Sequence, residues 1–190
     1  VFEQMAIAAV KLGMLGNRAI VATVAEQLAR RRPPFVIIDP VLVATSGARL
    51  LEEKALHALR SRLLPLADCL TPNLAEAAAL LGVPCAHDEA GMAAQGRALL
   101  ARGPRSVLLK GGHASLPEAV DLLITAQGIQ RFAAPWIDTR HVHGTGCMLA
   151  AAIAANVADG HPLAGAVHRA RAHVRTVLVE RGQQQPEPPG

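Results

Sequence analysis

Short apolar runs alternate along this chain with longer segments whose apolar positions recur every three or four residues. The runs "FVIID" (35–39) and "SVLLK" (106–110) are rich in Val, Ile and Leu, and each closes on a charged residue followed by Pro or Gly. Continuous apolar runs of that length read as strands buried on both faces that stop at something polar. "ADCL" (67–70) is a weaker copy, and "AIAAVKLG" (6–13) is a fourth candidate. Helical spacing fills 17–32, 47–64, 73–81 and 89–102. Strand–helix alternation with short connections predicts an α/β fold, with a mostly parallel sheet covered by helices on both faces. "EAVDLLIT" and "GIQRFAAP" flank the turn around Ala126, Gln127 and Gly128, which predicts an antiparallel hairpin at one edge. Two further helices, 145–158 and 162–181, complete a single expected domain over 1–181. "GQQQPEPPG" (182–190) has no apolar face to bury and reads as a disordered tail.

Composition narrows the function. With three Phe, one Trp and no Tyr, the core must be built from Ala, Leu, Val and Ile, and no aromatic platform remains for stacking bases. No nucleic-acid partner is therefore expected. The net charge of +4 comes mostly from scattered basic residues; the one cluster, Arg30, Arg31 and Arg32, reads as a solvated helix end that complements the dipole. Cys69, Cys85 and Cys147 are odd in number and lack metal-type spacing, which fits a reducing cytoplasm rather than a disulfide framework. No apolar run approaches the roughly 18 residues of a membrane span, and no signal peptide is apparent, so no membrane partner is expected. The chain opens on Val1, already inside sequence that reads as ordered, and a missing upstream portion is expected.

Parallel α/β sheets bind ligands beyond the carboxyl ends of their strands. The residues there are Lys11 to Met14, Asp39 to Val41, Thr71 to Asn73 and Lys110 to His113, all polar or glycine-bearing; the opposite ends offer nothing comparable in sequence. Gly144, Thr145, Gly146 and Cys147 open the alanine-rich helix, where amides without intrahelical partners and the positive dipole end favour an anion. A plain glycine turn with a small buried Cys accounts for the same four residues. Cys147 at a helix entry reads as a base, an anion-site residue or a nucleophile, or as inert packing. Asn73 and Glu76 are either an N-cap with an acidic first turn or holders of a hydrated Mg²⁺. Asp39 suits magnesium or proton chemistry, or caps a turn, and Lys110 can neutralise a transferring phosphoryl group. His141 and His143 with Cys147 make a poor zinc set, since no further carboxylate or histidine recurs at helical spacing, and Thr139 and Arg140 favour phosphate.

The stretches "DPVLVATSGARLL", "LTPNLAEAAALLG", "VLLKGGH" and "TRHVHGTGCMLAAAIAA" occur in one order and resemble the hydroxymethylpyrimidine/phosphomethylpyrimidine kinases of thiamine biosynthesis, in the ribokinase-like superfamily. The resemblance runs from about 10 to 158. It implies a ribokinase-like three-layer α/β/α sandwich that uses ATP to phosphorylate 4-amino-5-hydroxymethyl-2-methylpyrimidine and then its monophosphate. It implies an anion hole at Gly144, Thr145 and Gly146, with Cys147 in the place of the catalytic aspartate of sugar-type relatives. Asp39, Asn73, Glu76 and Lys110 fall near the nucleotide phosphates and Mg²⁺, with Asp39 and Glu76 as metal groups; Thr139 and His143 join the nucleotide set. Met14, Val41 and Cys147 line the pyrimidine site. Met148 departs from the small polar residue usual there. The family's glycine-rich opening and first strands are absent, so weak or no turnover by this chain alone is expected, with a homodimer as the expected assembly. The alternatives are a pyridoxal or related vitamin kinase and a non-catalytic nucleotide-binding remnant; a cysteine hydrolase lacks an orienting partner for its histidine.

Overall fold

The computed structural model describes residues 5–42, 52–112, 117–137 and 144–183. Strand β1 (Ala9–Leu12) leads through helix α1 (Arg18–Arg30) to β2 (Phe35–Ile38). Helix α2 (Glu53–Ala58) continues as a π-helical turn, Leu59–Leu63, and a 3-10 turn, Leu64–Leu66, before β3 (Cys69–Leu70). Helices α3 (Leu74–Leu81) and α4 (Glu89–Leu100) precede β4 (Ser106–Lys110), the hairpin strands β5 (Ala119–Thr125) and β6 (Gly128–Ala134), and helices α5 (Thr145–Ala158) and α6 (Leu163–Gln183).

The six strands lie in sequence order. Strands β1 to β4 are parallel, whereas β4–β5 and β5–β6 are antiparallel. Side chains alternate across each strand, which divides the core in two. Val36, Ile38, Leu70, Val107 and Leu109 face α1 to α4, while Ile37, Cys69 and Leu108 face α5 and α6. On that second face the small residues Ala150, Ala166 and Ala170 are fully buried, which lets both helices lie close to the sheet, and Phe132 fills the same layer. The expected three layers and antiparallel edge are both present.

Local chemistry sets the boundaries. Asn17 caps α1 by accepting the Ile20 N–H at 3.0 Å, and Asp88 caps α4 by accepting the Gly91 N–H at 2.7 Å. The helix expected over 47–64 is interrupted within its described part, because Pro65 has no N–H to continue the ladder and the chain tightens into the 3-10 turn that contains it. Helix α6 runs to Gln183, so the first two residues of the expected tail are helical; 184–190 lie outside the described residues.

Two expectations at the far end of the sheet need correction. Arg32 is not a solvated helix terminus: α1 ends at Arg30, and Arg32 donates to Asp68 at 3.0 Å. The amino ends of the strands are also furnished. Asp68 is 4 % exposed, accepts the Val36 N–H at 2.8 Å and pairs with Arg105 at 3.3 Å. This cluster ties β2 to β3 and leaves the opposite edge free for chemistry.

Candidate active site

Four strand tips and one helix mouth meet at the carboxyl edge of the sheet. The Asp39 N–H donates to the Leu12 carbonyl at 2.9 Å and the Lys110 N–H to Pro72 at 2.9 Å, so the residues after β1 to β4 are held level by backbone bonds. Lys110 also bridges in parallel to Asn73. The lysine ammonium then reaches across β3 to donate to Asp39 Oδ1 at 3.0 Å.

Asp39 is the electrostatic centre. Its carboxylate is 2 % exposed, receives the Thr71 hydroxyl at 3.4 Å, and has Lys11 Nζ 3.5 Å from Oδ2. Burial alone would raise its pKa, but Lys110, the Cys147 thiol and Lys11 together hold it below its ordinary value. Oδ2 nonetheless has no hydrogen-bond partner among the described residues.

Asn73 and Glu76 form a reciprocal capping box: Asn73 Oδ1 accepts the Glu76 N–H at 2.8 Å and Glu76 Oε2 accepts the Asn73 N–H at 2.8 Å. The bland account of this pair is thus realised in full, but it also buries the Glu76 carboxylate beside Lys110. Burial raises the Glu76 pKa, while Lys110 and the Asn73 N–H oppose the rise.

Helix α5 starts from Gly144, whose φ of 78° is a left-handed conformation that favours glycine. The first helical hydrogen bond is donated by Met148 to the Gly144 carbonyl at 3.0 Å, so the amides of Gly146 and Cys147 precede the ladder at the positive end of the dipole. A Cβ built on Gly146 would lie 3.0 Å from Lys110 Nζ, which places the lysine directly over the helix mouth. Cys147 is solvent-accessible and lies against Asp39; partial burial, then its hydrogen bond to Asp39 and that residue's charge, push its thiol pKa up. The resting group is a thiol.

The structure therefore brings Lys110, Asp39, Glu76, Asn73, Gly144, Thr145, Gly146 and Cys147 to one corner. Met14, which is 60 % exposed, and half-buried Val41 follow β1 and β2 on the same edge. Thr139 and His143 lie outside the described residues, as do Arg140 and His141. Sequence reasoning placed Lys11 at the ligand edge without giving it a role, and it missed Asp121. Lys11 sits at a strand tip like the others, but only its ion pair with Asp39 marks it. Asp121 accepts the Gly111 N–H at 3.0 Å, pairs with Arg171 and so pins the residue after Lys110 to α6. Its carboxylate and its partner are 50 residues apart, beyond any local pattern.

The phosphomethylpyrimidine kinase family model matches residues 1–186. The chain belongs to that family. Among curated proteins, hydroxymethylpyrimidine/phosphomethylpyrimidine kinase of Salmonella typhimurium is 46 % identical over 180 residues, which cover 95 % of this chain and 68 % of that protein. The chain thus spans about two thirds of that relative's length. Phosphomethylpyrimidine kinase of Clostridium difficile 630 superposes with a TM-score of 0.82 at 32 % identity, over 93 % of this chain and 71 % of that one. Pyridoxal kinase of Staphylococcus aureus, solved in complex with ADP, gives 0.83 at 28 % identity over 90 % and 62 %. No described helix of this family member is long and apolar enough to cross a membrane.

Proposed function

We propose that this phosphomethylpyrimidine kinase family member transfers the γ-phosphoryl group of ATP to the hydroxymethyl group of an aminopyrimidine and then to the resulting monophosphate. The observation that carries the reading is the Lys110 ammonium over the mouth of α5, 3.0 Å from the point where a Gly146 side chain would begin. Phosphoryl transfer asks a protein mainly for positioning and charge stabilisation. Glycine amides at a dipole terminus and a lysine supply both.

Among the described residues no group of three or more acidic, His or Cys side chains can cage a metal. Magnesium, which keeps several waters and binds through one or two carboxylates plus phosphate, fits such a sparse set. Asp39, with its buried oxygen lacking a hydrogen bond, and Glu76 would hold it, and it would supply charge neutralisation between the nucleotide phosphates. Thr139 and His143 belong to the nucleotide-binding set of this reading, Met14 and Val41 to the pyrimidine pocket. A cytoplasmic homodimer is part of it as well: β1 is the outer strand among the described residues, an edge that favours association.

In its thiolate form, the minority form at neutral pH, Cys147 accepts the hydroxymethyl proton and becomes a thiol as oxygen attacks phosphorus and the bond to ADP breaks. Because the thiol pKa lies above its ordinary value of 9.0, turnover of the hydroxymethyl acceptor is expected to climb through pH 7–9 without a plateau. Cys147→Ala should lower turnover about 10²–10⁴-fold relative to the unsubstituted chain, the range of general-base catalysis, and remove that climb. Wild-type turnover in both Cys147→Ala and Cys147→Ser, with folding intact by circular dichroism, would contradict the role. The pyridoxal kinase likeness makes pyridoxal the competitor to include; the aminopyrimidine is expected to be the preferred acceptor.

A further inference from the structure

Two lysines serve one aspartate at this corner, and only one is needed to neutralise it. Lys110 takes Oδ1 with a hydrogen bond of 3.0 Å. Lys11 approaches Oδ2 only to 3.5 Å, and that oxygen forms no hydrogen bond among the described residues. Among the described residues, Lys11 is thus held at Asp39 by charge alone. Its side chain keeps 20 % exposure against 12 % for Lys110, so it is the more accessible of the two ammonium groups. Glu76 and Asp121 both act on Lys110 and add negative charge on its side. Among the described residues, Asp39 is the one carboxylate paired with Lys11.

Position gives the surplus charge a direction. The Lys11 ammonium folds over Gly13, where a Cβ would lie 2.9 Å from Nζ, and so stands between the Met14 side of the edge and the Asp39–Cys147 side. That is the junction of the proposed pyrimidine pocket and phosphoryl site. The two proposed acceptors differ there. A hydroxymethyl group is neutral and must give up a proton. A phosphomethyl group brings a dianion whose oxygen attacks phosphorus as the bond to ADP breaks, with no proton to remove, so its special demand is for positive charge.

We propose that Lys11 is the specificity-determining residue for the second phosphorylation: its ammonium receives the phosphate monoester of the acceptor, while Lys110 and the α5 mouth hold the group in transfer. This rests on the acceptor reading above. A hydrogen bond between charged partners contributes enough to change affinity about tenfold or more. The test is calorimetric titration of the 190-residue chain and its Lys11→Met variant with the hydroxymethyl and the phosphomethyl aminopyrimidine, with thermal melts alongside. Lys11→Met is expected to weaken the phosphomethyl compound at least tenfold and the hydroxymethyl compound less than threefold, and Lys11→Arg to restore most of the loss. A structural role would weaken both compounds alike. Equal weakening of the two, or unchanged phosphomethyl affinity, overturns the inference and leaves the acceptor reading standing. Failure of the unsubstituted chain to bind either compound overturns the acceptor reading, and the inference with it.

Discussion

Lys110→Met is expected to lower phosphoryl-transfer turnover by about 10²–10³-fold relative to the unsubstituted chain, the range seen when one donor is removed from a charge-stabilising site. Lys110 is the cation nearest the α5 mouth, held there by its ion pair to Asp39. The substitution has a second effect, on stability. It leaves a carboxylate of 2 % exposure with Lys11 as its remaining cation at 3.5 Å, at a cost of about 2 kcal/mol, below the usual range for a broken buried pair because that cation persists. The pH dependence follows from Asp39. Its folded pKa lies below the unfolded value of 3.8, so the stabilisation is complete above about pH 4 and is lost as pH falls through the folded pKa. The gap in melting temperature between parent and variant should therefore be full at neutral pH and narrow below pH 4. A constant gap across that range would show that the ion pair is not its source.

Gly111→Ala is expected to be the most destabilising single-methyl substitution at this edge. A Cβ at residue 111 would lie 2.2 Å from the Val120 carbonyl oxygen and 2.9 Å from Met92 Cε. The methionine can swing aside, but the carbonyl belongs to β5 and already accepts the Gly111 N–H at 2.9 Å. Relief requires β4 and β5 to part, which also breaks the 3.0 Å bond from Gly111 to Asp121. Overpacking together with a lost hydrogen bond to a carboxylate amounts to about 3–5 kcal/mol. At a few degrees per kcal/mol for a chain of this size, the melting temperature should drop by roughly 10 °C. A drop below about 2 °C by calorimetry would mean that the β4–β5 joint yields without cost. Because Lys110 is the preceding residue, the same variant ties strand pairing to phosphate binding.

The framework was readable because its signals are local. Strand β4 coincides with "SVLLK", and α5 with the alanine-rich run after Gly144, since burial and a glycine start each leave a mark within a few residues. The strand-tip residues were readable for the same reason, as polar groups at the ends of apolar runs. What escaped depends on long-range pairing. Arg32 looks solvated until Asp68, 36 residues on, is folded beside it. Lys11 is one polar strand-tip residue among several until β1 and β2 are set in register and Asp39 lies next to it. The π-helical turn at Leu59–Leu63 has no periodic signature distinct from an α-helix.

The most direct test uses the crowding at the helix mouth. In Gly146→Ala the new methyl meets the end of a flexible lysine rather than backbone, and Ala favours a helix over Gly by about 1 kcal/mol, so stability should hold or rise. The displaced ammonium should nevertheless cost phosphate affinity. Calorimetric titration of the chain and its Gly146→Ala variant with ATP and magnesium is predicted to show binding by the parent and at least tenfold weaker binding by the variant, at an unchanged or higher melting temperature. No binding by the parent, or equal affinity in the two, would contradict a phosphate seat between Lys110 and the start of α5.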